Sequence, residues 1–342
     1  MSFDSVQDQI VELLSDNEEQ QFIFLTGAAG TGKTTLLERV KNQLSCKKIV
    51  VAPTGIAALN IGGTTINSAF RIGFETIPMI TKSKDPRFAK LLKNLELLII
   101  DEVSMVRAPM LDAISQSLQI YKKSTEPFGG IHVLACGDLF QLPPVVKQHE
   151  EREIYDKYDS IYFFDALSFK EVKNVKYFQL DKSFRQEEDE GFYELLNNIR
   201  IGSDLEKTIN KINSQCFDPT LESDAYMTLT SRKNRAEELN NHKLTYLDSP
   251  EEIIKSKEFG DLNENDLPAP RELKIKQGAS VMFIKNDSEG RWVNGTLGTV
   301  TECLDKKKKC IKVKINSKTH KVEREEWNKV KFTYDDDSDE VL

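Results

Sequence analysis

Several features that would assign this protein to a class are missing from its sequence. The five cysteines form no Cys-x-x-Cys pair, which argues against zinc or disulfide frameworks and favours free thiols in a reducing compartment. The N-terminus has no apolar signal core, and no apolar run approaches the roughly 20 residues that a membrane span needs. We therefore expect a cytoplasmic protein (nuclear or mitochondrial if the source is eukaryotic) with no membrane partner.

An excess of positive charge is also missing. The net charge of −8 excludes a global positive field and argues against passive, charge-driven coating of nucleic acid. It leaves open a nucleic-acid motor whose groove is locally basic or lined by neutral donors. The length of 342 residues indicates two or three domains, and we find no internal repeats.

The most informative motif that is present is a glycine-rich loop. Residues 27–34 read Gly-Ala-Ala-Gly-Thr-Gly-Lys-Thr, between the apolar run 22–25 and a helical pattern. Such a loop turns backbone N–H groups around a phosphate, the lysine reaches the β- and γ-phosphates, and the threonine hydroxyl binds Mg²⁺. The alternative, a glycine-rich turn of a dinucleotide-binding fold, does not require the Lys-Thr pair. We predict that ATP and Mg²⁺ are bound here, by Gly27, Ala28, Ala29, Gly30, Thr31, Gly32, Lys33, Thr34 and Thr35.

Short apolar runs alternate with helical patterns over the first 145 residues. The runs at 22–25, 48–52, 95–100 and 131–136 are continuous, as in parallel strands covered on both faces. This predicts a doubly wound α/β domain. A second α/β unit is predicted from about residue 161, with strands at 176–180 and 226–230 and helices at 192–200, 205–214 and 234–247. After a polar stretch at 250–270, short strands at 280–285, 298–304, 310–316 and 319–323 predict a small β-barrel.

Two carboxylates follow the third apolar run. Strand ends in open α/β sheets point at the ligand crevice, where Asp101 would hold Mg²⁺ and Glu102 would polarise the attacking water. The alternative is that the Asp-Glu pair only caps the next helix.

Other polar segments follow the remaining runs. Gln141 lies just past the fourth run, where it is placed to sense a γ-phosphate, and Pro143 with the next proline stiffens that segment or serves as a loop spacer. Small donors that suit a sugar-phosphate chain follow the second run, although the same residues suit helix N-caps: Thr54, Gly55, Thr64, Thr65, Asn67 and Ser68. Arg185 either neutralises a γ-phosphate from a neighbouring domain or lies on the surface.

Taken together, these motifs resemble the Pif-type (petite integration frequency) DNA helicases, which are superfamily 1 helicases of the 5′-to-3′ class. The strings Asp-Glu-Val-Ser-Met at 101–105 and Gly-Asp-Leu-Phe-Gln-Leu-Pro-Pro at 137–144 carry the resemblance, with 180–186, 192–202 and 278–298 in support. The resemblance implies Lys33, Glu102, Gln141 and Arg185 as catalytic residues, Thr34 and Asp101 at the metal, and Gln7 as the reader of adenine. It implies single-stranded DNA contacts at the small donors above and at Pro143, Asn294 and Gly295, although family members usually have histidine where this chain has Asn67.

The resemblance also implies a fold and a biology. The fold would be two RecA-like P-loop domains, the second incomplete, at 1–155 and 156–250, a linker at 251–272, an SH3-like β-barrel insertion at 273–334 and an acidic end at 335–342. The partners would be single-stranded DNA and fork or G-quadruplex DNA, acted on by a monomer in DNA repair, recombination and telomere maintenance.

One departure from the family leaves a second interpretation open. Family strings like Thr-Ile-His-Lys-Ser-Gln-Gly and Tyr-Val-Ala-Leu-Ser-Arg are absent, so we expect a fragment or a shortened protein. Such a chain is either an active helicase or a fragment that binds ATP and DNA with little hydrolysis. A GTPase is disfavoured, because the Asn-Lys-x-Asp base-reading string is absent.

Overall fold

We describe the fold from a computed structural model. It describes residues 3–16, 19–73, 75–181, 190–216, 228–259, 267, 269–285, 287–292, 295–305, 310–327, 334–335 and 340–341. The chain forms two compact units, residues 1–217 with 329–342, and residues 218–328. Within the described part of the chain, no helix is both long and apolar enough to cross a membrane.

The first unit alternates strands and helices. Its elements are α1 (Phe3–Ser15), β1 (Phe22–Gly27), α2 (Lys33–Gln43), β2 (Lys48–Ala52), α3 (Gly55–Asn60), β3 (Thr64–Thr65), α4 (Ile66–Phe70), α5 (Pro86–Asn94), β4 (Leu97–Ile100), α6 (Ala108–Lys122), β5 (His132–Cys136), α7 (Gln148–Tyr155), α8 (Leu167–Lys170), β6 (Val175–Leu180), α9 (Glu190–Ile201) and α10 (Leu205–Cys216). Short 3₁₀ helices lie at Val103–Met105, Pro127–Gly130 and Phe163–Asp165.

One parallel sheet of six strands organises this unit, in the order β3-β2-β4-β5-β1-β6. Successive side chains of a strand point to opposite faces, so the apolar runs supply two cores. Ile23 and Leu25 face α1 and α2, whereas Phe22 and Phe24 face the core on the other side, which includes residues of α5 and α6. The predicted α/β sheet and its four apolar strands are confirmed.

Two strand assignments from the sequence differ from the structure over the described residues. The strand predicted at 176–180 forms, but it pairs in parallel with β1 over six residues, from Phe22↔Val175 to Gly27↔Leu180, and so it belongs to the first sheet. β5 pairs with one edge of β1, and the backbone groups of the other edge need a hydrogen-bonding partner, which β6 supplies. The local sequence of β6 does not indicate this pairing. The strand predicted at 226–230 does not form over 228–230, and its first two residues lie outside the described residues.

The second unit contains α11 (Lys233–Thr245), β7 (Glu252–Lys255), β8 (Glu272–Ile275), β9 (Ser280–Met282), β10 (Leu297–Asp305), β11 (Cys310–Ile315) and β12 (Lys318–Val322). The strands β12-β11-β10-β9 form an antiparallel sheet in that order, which confirms the four predicted strands. The range 251–272, predicted to be a linker, contains β7 and the start of β8, which pair with each other. The last strands, β13 (Tyr334–Asp335) and β14 (Glu340–Val341), pair within the first unit.

Candidate active site

The carboxyl ends of three neighbouring strands bring the candidate site together. In the order β4-β5-β1, β4 leads to Asp101, β5 to Asp138 and β1 to the glycine-rich loop. Because parallel strands end at the same edge of a sheet, side chains that are far apart in sequence meet there. The tertiary structure thus joins three segments that the sequence analysis treated separately.

The loop after β1 uses its glycines in two ways. Gly30 (φ 80°) and Gly32 (φ 84°) adopt the left-handed conformation that favours glycine, and Gly32 directly precedes α2. Gly27 has a different constraint, because a Cβ there would lie 2.6 Å from Thr31 Oγ1 and 2.7 Å from the Leu180 carbonyl oxygen. The loop therefore presents the N-terminus of α2, with Thr34 and Thr35 exposed in its first turn.

Lys33 is held by the loop itself. Its ammonium donates hydrogen bonds to the carbonyl oxygens of Gly27, at 2.8 Å, and Ala28, at 3.1 Å. Thr31 Oγ1 also donates to the Ala28 carbonyl at 2.9 Å. These bonds keep a positive charge beside backbone N–H groups, which is the arrangement that binds phosphates.

Asp101 is a buried carboxylate at the end of β4. Its Oδ1 accepts a hydrogen bond from the Glu102 backbone N–H at 3.0 Å. Burial raises the pKa of Asp101 to about 6, although the Glu102 N–H and the positive charge of Lys33 act in the opposite direction. The Glu102 N–H and the positive charge of Lys33 thus offset only part of the unfavourable effect of burial on the Asp101 carboxylate.

The residues after Asp101 have an unusual backbone. Glu102 has φ 51°, in the left-handed region that side chains other than glycine rarely adopt, and it leads into the 3₁₀ helix Val103–Met105. A Cβ on Gly137 would lie 3.0 Å from the Ser104 backbone nitrogen, so the segments after β4 and β5 are in close contact.

Asp138 organises the segment after β5. Its carboxylate is 1% exposed and accepts hydrogen bonds from the Phe140 N–H at 3.1 Å, from Gln141 Nε2 at 3.1 Å and from the Arg200 guanidinium. Burial acts to raise the pKa of Asp138, but the Arg200 side chain and the Phe140 N–H lower it to a net value below normal. Gln141 and Pro143 are exposed in the loop that follows.

A second ion pair fixes the far end of this loop. Arg107 donates to the Val145 carbonyl oxygen at 2.8 Å and to both carboxylate oxygens of Glu150, at 3.1 and 3.3 Å. Glu150 also accepts from the Lys147 N–H at 2.7 Å. The loop is therefore anchored on both sides of Gln141, and sequence reasoning gave Asp138, Arg200, Arg107 and Glu150 no role. Asp138 had a signal, because it is an acid two residues after the end of a mostly apolar strand.

Two polar side chains in the segment after β2 are helix N-caps. Thr54 Oγ1 accepts from the Ala57 N–H at 3.2 Å, and Thr65 Oγ1 accepts from the Ser68 N–H at 3.3 Å. Asn67 Nδ2 donates to the carbonyl oxygens of Ile72 and Gly73 at 3.1 and 3.0 Å. Thr64 is buried and Gly55 is the first residue of α3. The N-cap interpretation is thus observed, and DNA contact by these residues stays a prediction.

Of the remaining predicted residues, Gln7 lies apart from this edge of the sheet. Gln7, on α1, donates to Gln43 Oε1 at 2.9 Å, at the end of α2 that lies about 15 Å along the helix from Lys33. Its adenine-reading role stays a prediction. Gly295, in the second unit, has φ 89°. Arg185 and Asn294 lie outside the described residues.

Comparisons with known proteins identify the family of this chain. A family model described as PIF1-like helicase matches residues 2–210. The ATP-dependent DNA helicase PIF1 of Saccharomyces cerevisiae is 33% identical over 319 residues, which cover 87% of this chain and 35% of the yeast protein. The human ATP-dependent DNA helicase PIF1 is 31% identical, over 82% of this chain and 44% of its own length. The chain therefore spans less than half the length of these curated relatives.

Solved structures give the same result. A crystal structure of Bacteroides sp Pif1 in complex with ADP-AlF4 is similar with a TM-score of 0.85 and 36% identity, over 100% of this chain and 78% of that one. A Bacteroides Pif1 structure bound to ssDNA is similar with a TM-score of 0.67. The family model covers more than half of the chain and the sequence relatives more than four fifths, so the chain belongs to the PIF1-like helicase family.

Proposed function

We propose that this chain is an ATP-dependent DNA helicase that hydrolyses ATP, moves 5′-to-3′ along single-stranded DNA and unwinds duplex or structured DNA. The observation that carries the proposal is the meeting of the Lys33 loop, Asp101 and the Asp138–Gln141 segment at one sheet edge. ATP dependence and DNA as substrate follow the printed descriptions of the relatives. Direction and unwinding rest on the family resemblance.

ATP would bind with its phosphates at the loop of residues 27–35. The backbone N–H groups and Lys33 would contact the phosphates, and Gln7 would read the adenine. Thr34 and Asp101 would hold Mg²⁺, which supplies charge neutralisation at the phosphate oxygens. The fit is supported by Asp101, because a buried carboxylate at the end of β4 offers the oxygen ligands that Mg²⁺ prefers.

Hydrolysis would use three further side chains. Glu102 would take a proton from the attacking water, and Gln141 would orient that water. Arg185 would neutralise charge that develops on the γ-phosphate. Phosphoryl transfer depends mostly on such positioning and charge stabilisation, which is why these residues need a fixed arrangement.

Single-stranded DNA would contact the first unit at the segment after β2 and at Pro143. A Pif1 structure from Bacteroides is described as bound to ssDNA. The proposed contacts are Thr54, Gly55, Thr64, Thr65, Asn67, Ser68 and Pro143, with Asn294 and Gly295 in the second unit. We further propose that the antiparallel sheet of the second unit belongs to an SH3-like barrel and that the protein acts as a monomer on fork or G-quadruplex DNA in repair, recombination and telomere maintenance.

The test is ATP turnover of the wild type, Lys33→Ala and Glu102→Gln, with and without single-stranded DNA. We expect stimulation by DNA and a loss of about 100-fold or more in both variants, because each removes a group that acts on the transferred phosphate or the water. Turnover that is unchanged in Lys33→Ala would contradict the proposal. Nucleotide and DNA binding without turnover in the wild type would identify the alternative, a binding fragment with little hydrolysis.

A further inference from the structure

Arg200 forms an ion pair with Asp138 near the candidate site. It lies at the end of α9, and its guanidinium donates from Nε to Asp138 Oδ2 at 2.9 Å and from Nη2 to Asp138 Oδ1 at 2.8 Å. The Arg200 side chain is 22% exposed and that of Asp138 is 1% exposed. A bidentate pair of this kind fixes direction as well as distance.

The same carboxylate also holds the loop that contains Gln141. Asp138 Oδ1 accepts the Phe140 N–H and Oδ2 accepts Gln141 Nε2, both at 3.1 Å. The Arg200 guanidinium carbon lies 4.7 Å from the centre of the Phe140 ring, so Arg200 contacts the loop a second time. Asp138 thus connects the end of α9 to Gln141 through two hydrogen bonds on one oxygen.

This arrangement decides which way the Gln141 amide faces. An ionised carboxylate only accepts hydrogen bonds, so Gln141 must turn its NH₂ group towards Asp138. Its carbonyl oxygen, Oε1, then points away from Asp138. An attacking water is oriented by a group that accepts one of its protons, and Oε1 is such an acceptor.

We propose that Arg200 is a positioning residue for ATP hydrolysis, which acts through Asp138 to hold Gln141 with its Oε1 presented to the attacking water. The proposal rests on the proposed ATPase function. Arg200 keeps Asp138 ionised and in place, and Asp138 in turn fixes the amide of Gln141. Lysine cannot replace Arg200 fully, because an ammonium does not match both carboxylate oxygens in one plane.

The test is a kinetic comparison of wild type, Arg200→Ala, Arg200→Lys, Gln141→Ala and the double variant Arg200→Ala/Gln141→Ala. We expect Arg200→Ala to lower kcat about 10-fold or more, with the Kd for a fluorescent ATP analogue changed less than about 3-fold, and Arg200→Lys to recover part of the loss. The double variant should turn over no more slowly than Gln141→Ala alone, because Arg200 acts through Gln141. Multiplicative losses, or a wild-type kcat in Arg200→Ala, would overturn the proposal.

Two controls keep the outcome decisive. Arg235→Ala removes an exposed arginine from α11, whose recorded ion pair is to Glu238 one turn away, and should leave kcat unchanged. If Arg200→Ala does not fold because the Asp138 charge loses its partner, Arg200→Lys and Arg200→Gln take its place in the cycle.

A second readout does not require activity. The Gln141 side-chain amide should show a protected, shifted resonance in ¹⁵N spectra of the wild type that is lost in Arg200→Gln. An unchanged resonance in that variant would overturn the proposal. Equal turnover of wild type and Lys33→Ala would refute the ATPase function instead, and the amide resonance would still decide whether Arg200 orients Gln141.

Discussion

At the scale of single residues, the close packing of neighbouring atoms explains why position 27 requires glycine better than loop flexibility does. A Cβ there would meet Thr31 Oγ1 and the backbone of β6, which cannot move without disturbing the β1–β6 pairing. Sequence reasoning recognised this glycine as part of a motif. It had no access to the reason, because β6 lies about 150 residues further along the chain.

Gly27→Ala should therefore destabilise the protein by about 2–3 kcal/mol, as overpacking against fixed atoms does. Gly290→Ala is the matched control: its Cβ would meet nothing within 4 Å, and only the positive φ of 70° is penalised, which costs about 1 kcal/mol. Urea unfolding of both variants measures the difference. Equal losses in the two variants would contradict the steric explanation.

Arg107 illustrates how burial raises the loss of stability when one partner of an ion pair is removed. Its partner Glu150 is 6% exposed, so Arg107→Ala leaves a buried carboxylate without its cation and should cost about 3 kcal/mol. Arg235→Ala breaks an exposed pair and should cost less than about 1 kcal/mol. Chemical unfolding tests both. A loss in Arg107→Ala as small as that in Arg235→Ala would show that solvent reaches Glu150.

At the scale of elements, the strand ends decide what each motif can do. Asp101 and Asp138 follow β4 and β5, which are neighbours in the sheet, and both strands end beside the loop that follows β1. The apolar runs predicted these strands, and the general property of strand ends predicted Asp101 and Gln141 as site residues. The role of Asp138 could not be predicted from the sequence, because it depends on Arg200 of α9, which is 62 residues away in sequence.

The first residue of β5 gives a pH prediction. His132 is buried, and its Nδ1 accepts the Gln21 N–H at 3.1 Å, which only the neutral ring can do. Burial lowers the pKa of His132 below its ordinary value of 6.5. The unfolded chain then binds the proton more readily, so the stabilisation is complete above about pH 6.5 and is lost as the pH falls through the folded pKa.

We expect the thermal unfolding midpoint to fall between pH 7.5 and pH 5 more steeply in the wild type than in His132→Asn. Asparagine Oδ1 replaces the Nδ1 acceptor and does not titrate. His149→Asn, at an exposed position of α7, should retain the wild-type pH dependence. An equal slope in His132→Asn and wild type would exclude His132 as the titrating group.

At the scale of the whole molecule, the net charge of −8 and the neutral side chains proposed to contact DNA point to weak dependence on salt. The logarithm of the DNA-binding constant should fall with the logarithm of salt concentration with a slope shallower than about −5, because few phosphates are neutralised. Fluorescence anisotropy with a single-stranded oligonucleotide between about 50 and 200 mM salt measures the slope. A slope near −10 would contradict the assignment of neutral contacts.

The sequence by itself determined the local units of this protein: the glycine loop, the apolar strands, some of the helices and the carboxylates after the strands. These depend on side-chain periodicity and on residue chemistry over a few positions. Only the tertiary structure placed β6 beside β1, revealed β7 within the range predicted as a linker and paired Arg200 with Asp138. The physical reason is that strand pairing and buried ion pairs depend on which surfaces meet across long sequence separations, and no local pattern encodes those meetings.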